Sequence, residues 1–396
     1  MKGSNAKQNK AINLRLVLSQ IVTQGPVSRV EIARNTQLTK QTITNMVEEL
    51  LAAKLVEEVG IKKAEGAGKP SKMLVLNKKA AYSIAIRVLN NELEVGLFYL
   101  NGEQINRLHT LVEPDALLDK AAYLVDTLVQ IDNIDKSLIL GVGLSLEVSD
   151  DTAINRFTFN KQWQQRLANK LQLPVALETS ASACAAFQML FGEAQQLHNF
   201  IFVHLGSRVE SAVVYDRQIL LGQNGLTGAL GDIFVTPETD DSTAELGRLN
   251  DFASITSLKA MLNLNDLTQE EVITQSAVSK HLDRWVDQAA EPLRIAIHTL
   301  ESLLNTQTII IGGDVSDILL EKLIKQLRPF IPSISQYGDR EVVRLIKTPD
   351  VANITIKGLA TLPLHAALSR KNMQTLYMPL ELQCSQIQHL VYASES

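Results

Sequence analysis

Thr39-Lys-Gln-Thr-Ile-Thr-Asn45 packs six polar side chains into seven residues, namely Thr39, Lys40, Gln41, Thr42, Thr44 and Asn45. Their chemistry is that of base-edge recognition. Gln and Asn amides can hydrogen-bond adenine at two points, Lys can reach guanine or phosphate, and a Thr methyl can pack on thymine. Such a set needs a rigid carrier, and the apolar residues beside it predict one. Ile43, Met46, Val47, Leu50 and Leu51 fall on one face at helical spacing, with Thr39 in position to cap the helix.

The preceding segment supplies a support. Ser28-Arg-Val-Glu31 has the form of a capping box opening a short helix that turns Ile32 and Ala33 inward and ends near Asn35-Thr36. Gln37-Leu38 then makes a tight turn. Upstream, Leu14, Val17, Leu18, Ile21 and Val22 form an amphipathic stripe broken by Gly25-Pro26. Two short helices joined by such a turn make a helix-turn-helix, whose second helix enters the major groove. Ser28 and Arg29 sit where a helix N-terminus meets phosphate. Residues 55–59 and 73–76 read as two strands around a loop rich in Gly and Lys, a basic wing from which Lys69 and Lys72 reach the duplex. The plainer alternative is that these polar residues only face solvent; Ser28 and Thr39 cap helices in either case.

Charge follows the same division. Residues 1–80 hold 14 Lys/Arg against 6 Asp/Glu, a formal +8, while the remainder holds 24 against 37, a formal −13. A basic head on an acidic body points to a polyanion partner for the head, a solvated basic face being the alternative. At 396 residues the chain suits two or three domains, and 45% apolar with 20% charged residues predicts a globular, soluble protein. No run of about 18 uninterrupted apolar residues appears, so no membrane insertion is expected. Met1-Lys-Gly-Ser-Asn-Ala6 lacks the apolar stretch of a signal peptide, and only Cys184 and Cys384 are present; a cytoplasmic location is expected.

Beyond residue 81 short apolar strands alternate with longer amphipathic segments, which predicts an α/β body. Strands are expected over 83–88, 93–100, 138–144, 175–177, 199–204, 211–215 and 308–311, and helices over 116–131, 163–171, 180–191 and 286–304. No sequence repeat is evident.

In this order the segments resemble the ROK family (repressors, open reading frames and sugar kinases), in its Mlc, NagC and xylose-repressor branch. The resemblance rests on Ser28-Arg-Val-Glu-Ile-Ala33, Leu38-Thr-Lys-Gln-Thr-Ile-Thr44, Leu50-Leu-Ala-Ala-Lys-Leu-Val56, Gly68-Lys-Pro70, Trp163, Leu173-Pro-Val175 and Ile309-Ile-Ile-Gly-Gly-Asp-Val315. It implies a winged helix-turn-helix over 1–80 and an actin-like, hexokinase-like (ribonuclease H-like) two-lobed body. The first lobe is expected over 81–195; the second, with an oligomerisation region, over 196–396, its C-terminal helix able to return to the first lobe.

The resemblance also shows what has gone. The family's kinases carry an Asp-x-Gly-Gly-Thr phosphate loop where this chain reads Arg87-Val-Leu-Asn-Asn91, and a Gly-Thr-Gly-x-Gly loop where it reads Gly206-Ser-Arg-Val-Glu210. The catalytic Asp of the family's Glu-Asn-Asp-Ala segment is replaced in Glu178-Thr-Ser-Ala181, and Ser180 is far too weak a base alone. The sugar-gripping Gly-Glu-x-Gly-His segment reads Gly228-Ala-Leu-Gly-Asp232, and residues 237–250 contain no cysteine, so no zinc or other cofactor is expected. Glu178, Thr179, Ser180 and Asp232 remain as candidate effector contacts, a vestigial solvated cleft being the alternative. Gly312-Gly313 reads as a tight strand-to-helix turn, His109 and His204 as core or surface histidines, and Trp163 and Tyr215 as packing residues.

The expectation is a sequence-specific repressor of carbohydrate uptake or breakdown genes, not an enzyme. It would bind a double-stranded DNA operator as a homodimer or homotetramer and answer to a sugar or sugar-phosphate effector. Two alternatives stand beside it: an effector-independent DNA-bound oligomerisation protein, and an active sugar kinase with a DNA-binding head.

Overall fold

The computed structural model describes residues 6–62, 71–147, 153–222, 227–235, 247–328, 330, 344–369, 371–379 and 381–392. The head begins with α1 (Ala6–Gln24), a two-residue strand β1 (Val27–Ser28), α2 (Arg29–Thr36) and α3 (Lys40–Ala52). A hairpin of β2 (Val56–Lys62) and β3 (Ser71–Leu76) follows. The stripe of α1 is buried as expected, and Ile32, Ile43, Met46, Val47 and Leu50 are buried on the other two helices. Gln37 ends α2 in the left-handed conformation, φ 58°, and so makes the tight turn into α3. β1 pairs with β3, giving a three-stranded sheet in the order β1-β3-β2. A two-residue strand is too short to show periodicity, so sequence reading passes over it.

Two compact units divide the chain: residues 1–179, 186–191 and 356–396 in the first, and 180–185 and 192–355 in the second. The last 41 residues thus belong with the first unit rather than with the second lobe. In the first unit β4 (Tyr82–Leu89), β5 (Glu92–Tyr99) and β6 (Gln104–Leu111) form an antiparallel meander. Then come α4 (Leu117–Ile131), β7 (Ile139–Glu147), α5 (Ala153–Leu171) and β8 (Val175–Leu177), followed by α6 (Ser180–Phe191), whose residues 180–185 count with the second unit and 186–191 with the first. β7 lies parallel to β4, and β8 parallel to β7. β4 and β7 are buried almost throughout, the pattern of strands covered on both faces. α4 and α5 supply Leu124, Leu128, Trp163 and Leu167 to the core above Ile84, Ile86, Val142 and Leu144. The polar edge strand β6 escaped sequence reading because its QINRLHTL run is largely half-exposed.

The second unit repeats this plan. β9 (Phe200–Leu205), β10 (Val209–Tyr215) and β11 (Gln218–Ile219) form an antiparallel meander. A small hairpin of β12 (Phe234–Val235) and β13 (Gly247–Arg248) precedes α7 (Leu249–Ala253), α8 (Ile255–Leu262), α9 (Gln269–Val278) and α10 (Leu282–Leu304). β14 (Thr308–Gly313), α11 (Asp317–Gln326) and β15 (Arg344–Lys347) complete it, with β14 parallel to β9 and β15 parallel to β14. The strand order β11-β10-β9-β14-β15 has the same sense and connectivity as β6-β5-β4-β7-β8. The core centres on Trp285, Leu293, Ile309, Ile311 and Leu319. Gly313, φ 136°, lies where a Cβ would come within 2.3 Å of the Leu205 carbonyl oxygen, so the Gly pair serves close strand packing. Trp163 is buried, but Tyr215 is not the packing residue expected: it is 63% exposed at the end of β10, where Asp216 and Arg217 turn the chain back.

The closing segment is α12 (Ile354–Leu368), β16 (Leu376–Tyr377) and α13 (Gln386–Tyr392). β16 adds a sixth strand antiparallel to β8. The stretch Val351–Leu368 is apolar and long enough to cross a membrane, yet 78% of it is buried inside the protein, as a core helix is. Gly143 of β7 is what lets this helix approach: a Cβ there would lie 1.8 Å from the Leu359 carbonyl oxygen. Gly143→Ala is therefore expected to lower stability by about 1–3 kcal/mol through overpacking, read as a lower urea midpoint of the far-ultraviolet signal.

Candidate nucleic-acid interface and body sites

Burial of the apolar face of α3 leaves its first two turns outward, with Thr39, Lys40, Gln41 and Asn45 exposed and Thr42 and Thr44 half-buried. Thr39 caps the helix, its Oγ1 accepting from the Thr42 amide at 3.2 Å and lying 2.9 Å from Thr42 Oγ1. Thr44 Oγ1 donates to the Lys40 carbonyl at 2.9 Å. Each of these hydroxyls has a partner within the helix, and the Thr39–Thr42 pair keeps one O–H to spare. Gln41 Nε2 donates to Asn45 Oδ1 at 2.8 Å, joining the two amides across one helical turn.

Ser28 does not belong to this surface. It is 4% exposed and its hydroxyl donates to Glu31 Oε2 at 2.8 Å, while Glu31 Oε2 also accepts from the Ser28 amide at 2.8 Å. The capping box forms as expected, and forming it withdraws the hydroxyl from any outside partner. Arg29, the first residue of α2, is half-buried, and its Nη1 donates to Glu58 Oε1 at 3.0 Å. Lys72 Nζ donates to the other oxygen of the same carboxylate at 2.5 Å. The Lys72 hydrogen bond, with help from Arg29 and against an opposing push from burial, holds the Glu58 carboxyl below its ordinary range. Lys69 lies outside the described residues. Glu58 was not legible in the sequence, since its partners stand 29 and 14 residues away. Its signal is the hairpin register: Glu58 pairs with Leu74, two residues from Lys72 on the same strand face.

Within the first unit the head is joined to the body. Arg15 of α1, 6% exposed, donates from Nη2 to Met373 Sδ at 3.3 Å. The 3-10 turn that carries Met373, Asn372–Thr375, is anchored on both sides. Asn372 Nδ2 donates to the His365 carbonyl at 2.8 Å, and Gln164 Nε2 bonds both the Thr375 carbonyl at 2.8 Å and that of Val175 at 2.7 Å. Glu178 and Thr179, half-buried, follow directly on β8, where the Glu178 amide donates to the Leu144 carbonyl at 3.1 Å.

The ends of β4 and β9 carry buried polar side chains set against one another. Arg87, buried near the end of β4, lies 3.8 Å from a Glu147 carboxylate oxygen at the end of β7. In the second unit His204 Nε2 lies 3.0 Å from Thr355 Oγ1, which donates to Asp314 Oδ1 at 3.0 Å. All three are at least nine-tenths buried. The imidazole also stands where a Cβ on Gly206 would fall, 2.7 Å from His204 Cε1. His109 instead lies on the edge strand, 3.2 Å from Glu92. Ser180 opens α6 and is fully buried. The Asp232 carboxylate, half-exposed, accepts from Arg208 Nη2 at 2.5 Å and Asn250 Nδ2 at 3.3 Å, with Arg248 Nη1 at 3.9 Å. It is thus committed to a salt-bridge cluster whose two arginines sequence reading did not single out.

The fold and these strand ends define a class: the chain belongs to the ROK family, whose model matches residues 83–362. Among its relatives, the xylose repressor of Caldicellulosiruptor bescii is 25% identical over 84% of this chain and 94% of that one. The DNA-binding transcriptional repressor Mlc of Escherichia coli is 25% identical over 83% of this chain and 88% of that one. A solved ROK family transcriptional regulator, a homologue of the E. coli Mlc protein, covers 93% of this chain and 98% of its own, with a TM-score of 0.64 at 19% identity. A ROK glucokinase from Streptomyces griseus, solved with glucose and AMPPNP, covers 71% of this chain and 99% of its own with a TM-score of 0.52 at 16% identity. The body is therefore the actin-like, hexokinase-like fold common to ROK regulators and ROK kinases.

Removing the α2 cap tests the local account. Ser28→Ala is expected to cost about 1 kcal/mol, seen as a roughly fivefold loss of amide-exchange protection confined to residues 29–36.

Proposed function

We propose that the chain is a sequence-specific DNA-binding transcriptional repressor of sugar-uptake or sugar-breakdown genes. It acts in the cytoplasm as a homodimer or homotetramer, and its body has no kinase activity. The observation that carries this reading is the coupled Gln41–Asn45 amide pair, exposed on a helix whose opposite face is fixed in the head core. Lys40 beside it and the charge of the head supply attraction for phosphate, while the amides supply base discrimination. Two-fold symmetry would set two such helices one duplex turn apart. The repressor names of the relatives support the same reading, and the xylose repressors among them make a pentose the first effector to try.

Two features of the body support a non-catalytic role. A phosphate group needs open backbone amides or a metal-bearing acid at the strand ends. This chain fills those places with Arg87 and Glu147 in one unit and with His204, Thr355 and Asp314 in the other. The second reading, a DNA-bound oligomerisation protein with no effector, is favoured by the engagement of Asp232 with Arg208 and Asn250.

Selection of bound genomic fragments by the full chain, followed by footprinting, tests the assignment. Asn45→Ala is expected to weaken binding to a selected fragment about 5- to 150-fold, as loss of a bidentate base contact does, and to leave binding to a random duplex unchanged. Equal losses on both duplexes would remove the base-reading role. ATP consumption with a panel of hexoses is expected to stay at background. A thermal midpoint raised by D-xylose or another sugar would support the effector-bearing form, and no shift across the panel would favour the effector-free form.

A further inference from the structure

Glu58 is out of place on a surface that attracts a polyanion. Its side chain, 24% exposed, is shared between Arg29 at the N-terminus of α2 and Lys72 on the wing strand β3. Arg29 is itself 30% exposed, whereas Lys72, at 63%, meets the carboxylate from the solvent side. The two cations reach one carboxylate from different elements, one oxygen apiece. Either could contact a duplex backbone by leaving that carboxylate, or by bridging it to a phosphate of like charge at the cost of bringing two anions together.

We propose that Glu58 is a specificity-determining residue that competes with DNA phosphate for Arg29 and Lys72. In the free protein its single negative charge offsets half of the charge of these two cations and tethers both to one carboxylate. Non-specific binding comes almost entirely from phosphate contacts and counterion release, so withholding two cations weakens it most. A duplex that also satisfies Gln41 and Asn45 gains enough from base contacts to draw the cations away. The carboxylate thereby widens the gap between operator and random sequence, at some loss of absolute affinity.

This inference rests on the DNA-binding reading and adds a regulator of its selectivity. The test compares full-length wild type, Glu58→Gln and Glu57→Gln on a selected genomic fragment and on a random duplex of equal length. Titrations run from about 50 to about 200 mM salt. Glu57 is exposed on the same strand, so its substitution controls for net charge alone. Glu58→Gln is expected to tighten random-duplex binding roughly 5- to 10-fold at low salt and to steepen the salt dependence by about 1 to 2 in slope, near 0.9 for each cation released to phosphate. Operator binding is expected to tighten less, so that the specificity ratio falls, and Glu57→Gln to change each quantity less than about twofold. In an Arg29→Gln, Lys72→Gln background the Glu58→Gln effect should vanish, which a general loosening of the head would not produce. Random-duplex binding that is unchanged, or weaker on both duplexes, would overturn the competitor role. A wild type that binds neither duplex at low salt would overturn the DNA-binding reading itself.

Discussion

Everything the head can do depends on one helix being held by its back. α3 buries Ile43, Met46, Val47 and Leu50, and those four contacts settle which of its residues face out. Because the helical repeat is 3.6 residues, fixing the apolar stripe also fixes the azimuth of Gln41 and Asn45. The hydrogen bond between the two amides spans one turn of that exposed face. The exposed amides are thus positioned by hydrophobic burial on the opposite side of the same helix. Ser28 serves this arrangement from within, ordering the supporting helix rather than meeting a partner.

The body carries the same logic in reverse. Two sheets share one five-strand order, to which the first adds β16 at its edge. Here the strand ends of each set buried polar side chains against one another. Arg87 lies against Glu147, and His204 and Asp314 are joined through Thr355. A buried charge is tolerable only when paired, so the substitutions come as sets rather than singly. Asp232 with Arg208 and Asn250 follows the same rule at a half-exposed position.

A continuous set of contacts ties head to body inside the first unit. Arg15 reaches Met373, the turn carrying Met373 is pinned through Thr375 by Gln164, and Gln164 also holds β8 just before Glu178. A strand end among the candidate effector residues and the first helix of the head therefore share neighbours two or three side chains apart. None of these residues carries a recognisable motif, and each acts through partners far away in the chain.

Much of the molecule was determined by local pattern. The α1 stripe, the Ser28–Glu31 capping box, the Thr39 cap, the polar row of α3 and the main strands β4, β5, β7, β9 and β14 are all set within a dozen residues. Spacing and side-chain type suffice there, because period and capping are local properties. The lost phosphate-loop residues were equally plain, being matters of residue identity. What only the tertiary structure decided involves partners distant in sequence. The short strands β1 and β16 gain their identity from the strands they pair with, and the repeated sheet plan leaves no trace in sequence because topology constrains pairing, not residue type. Glu58 joining Arg29 to Lys72, Asp232 captured by Arg208, and His204 filling the space beside Gly206 all arise from long-range packing. A charge announces itself in a sequence, but its partner depends on which strands and helices come to rest beside it.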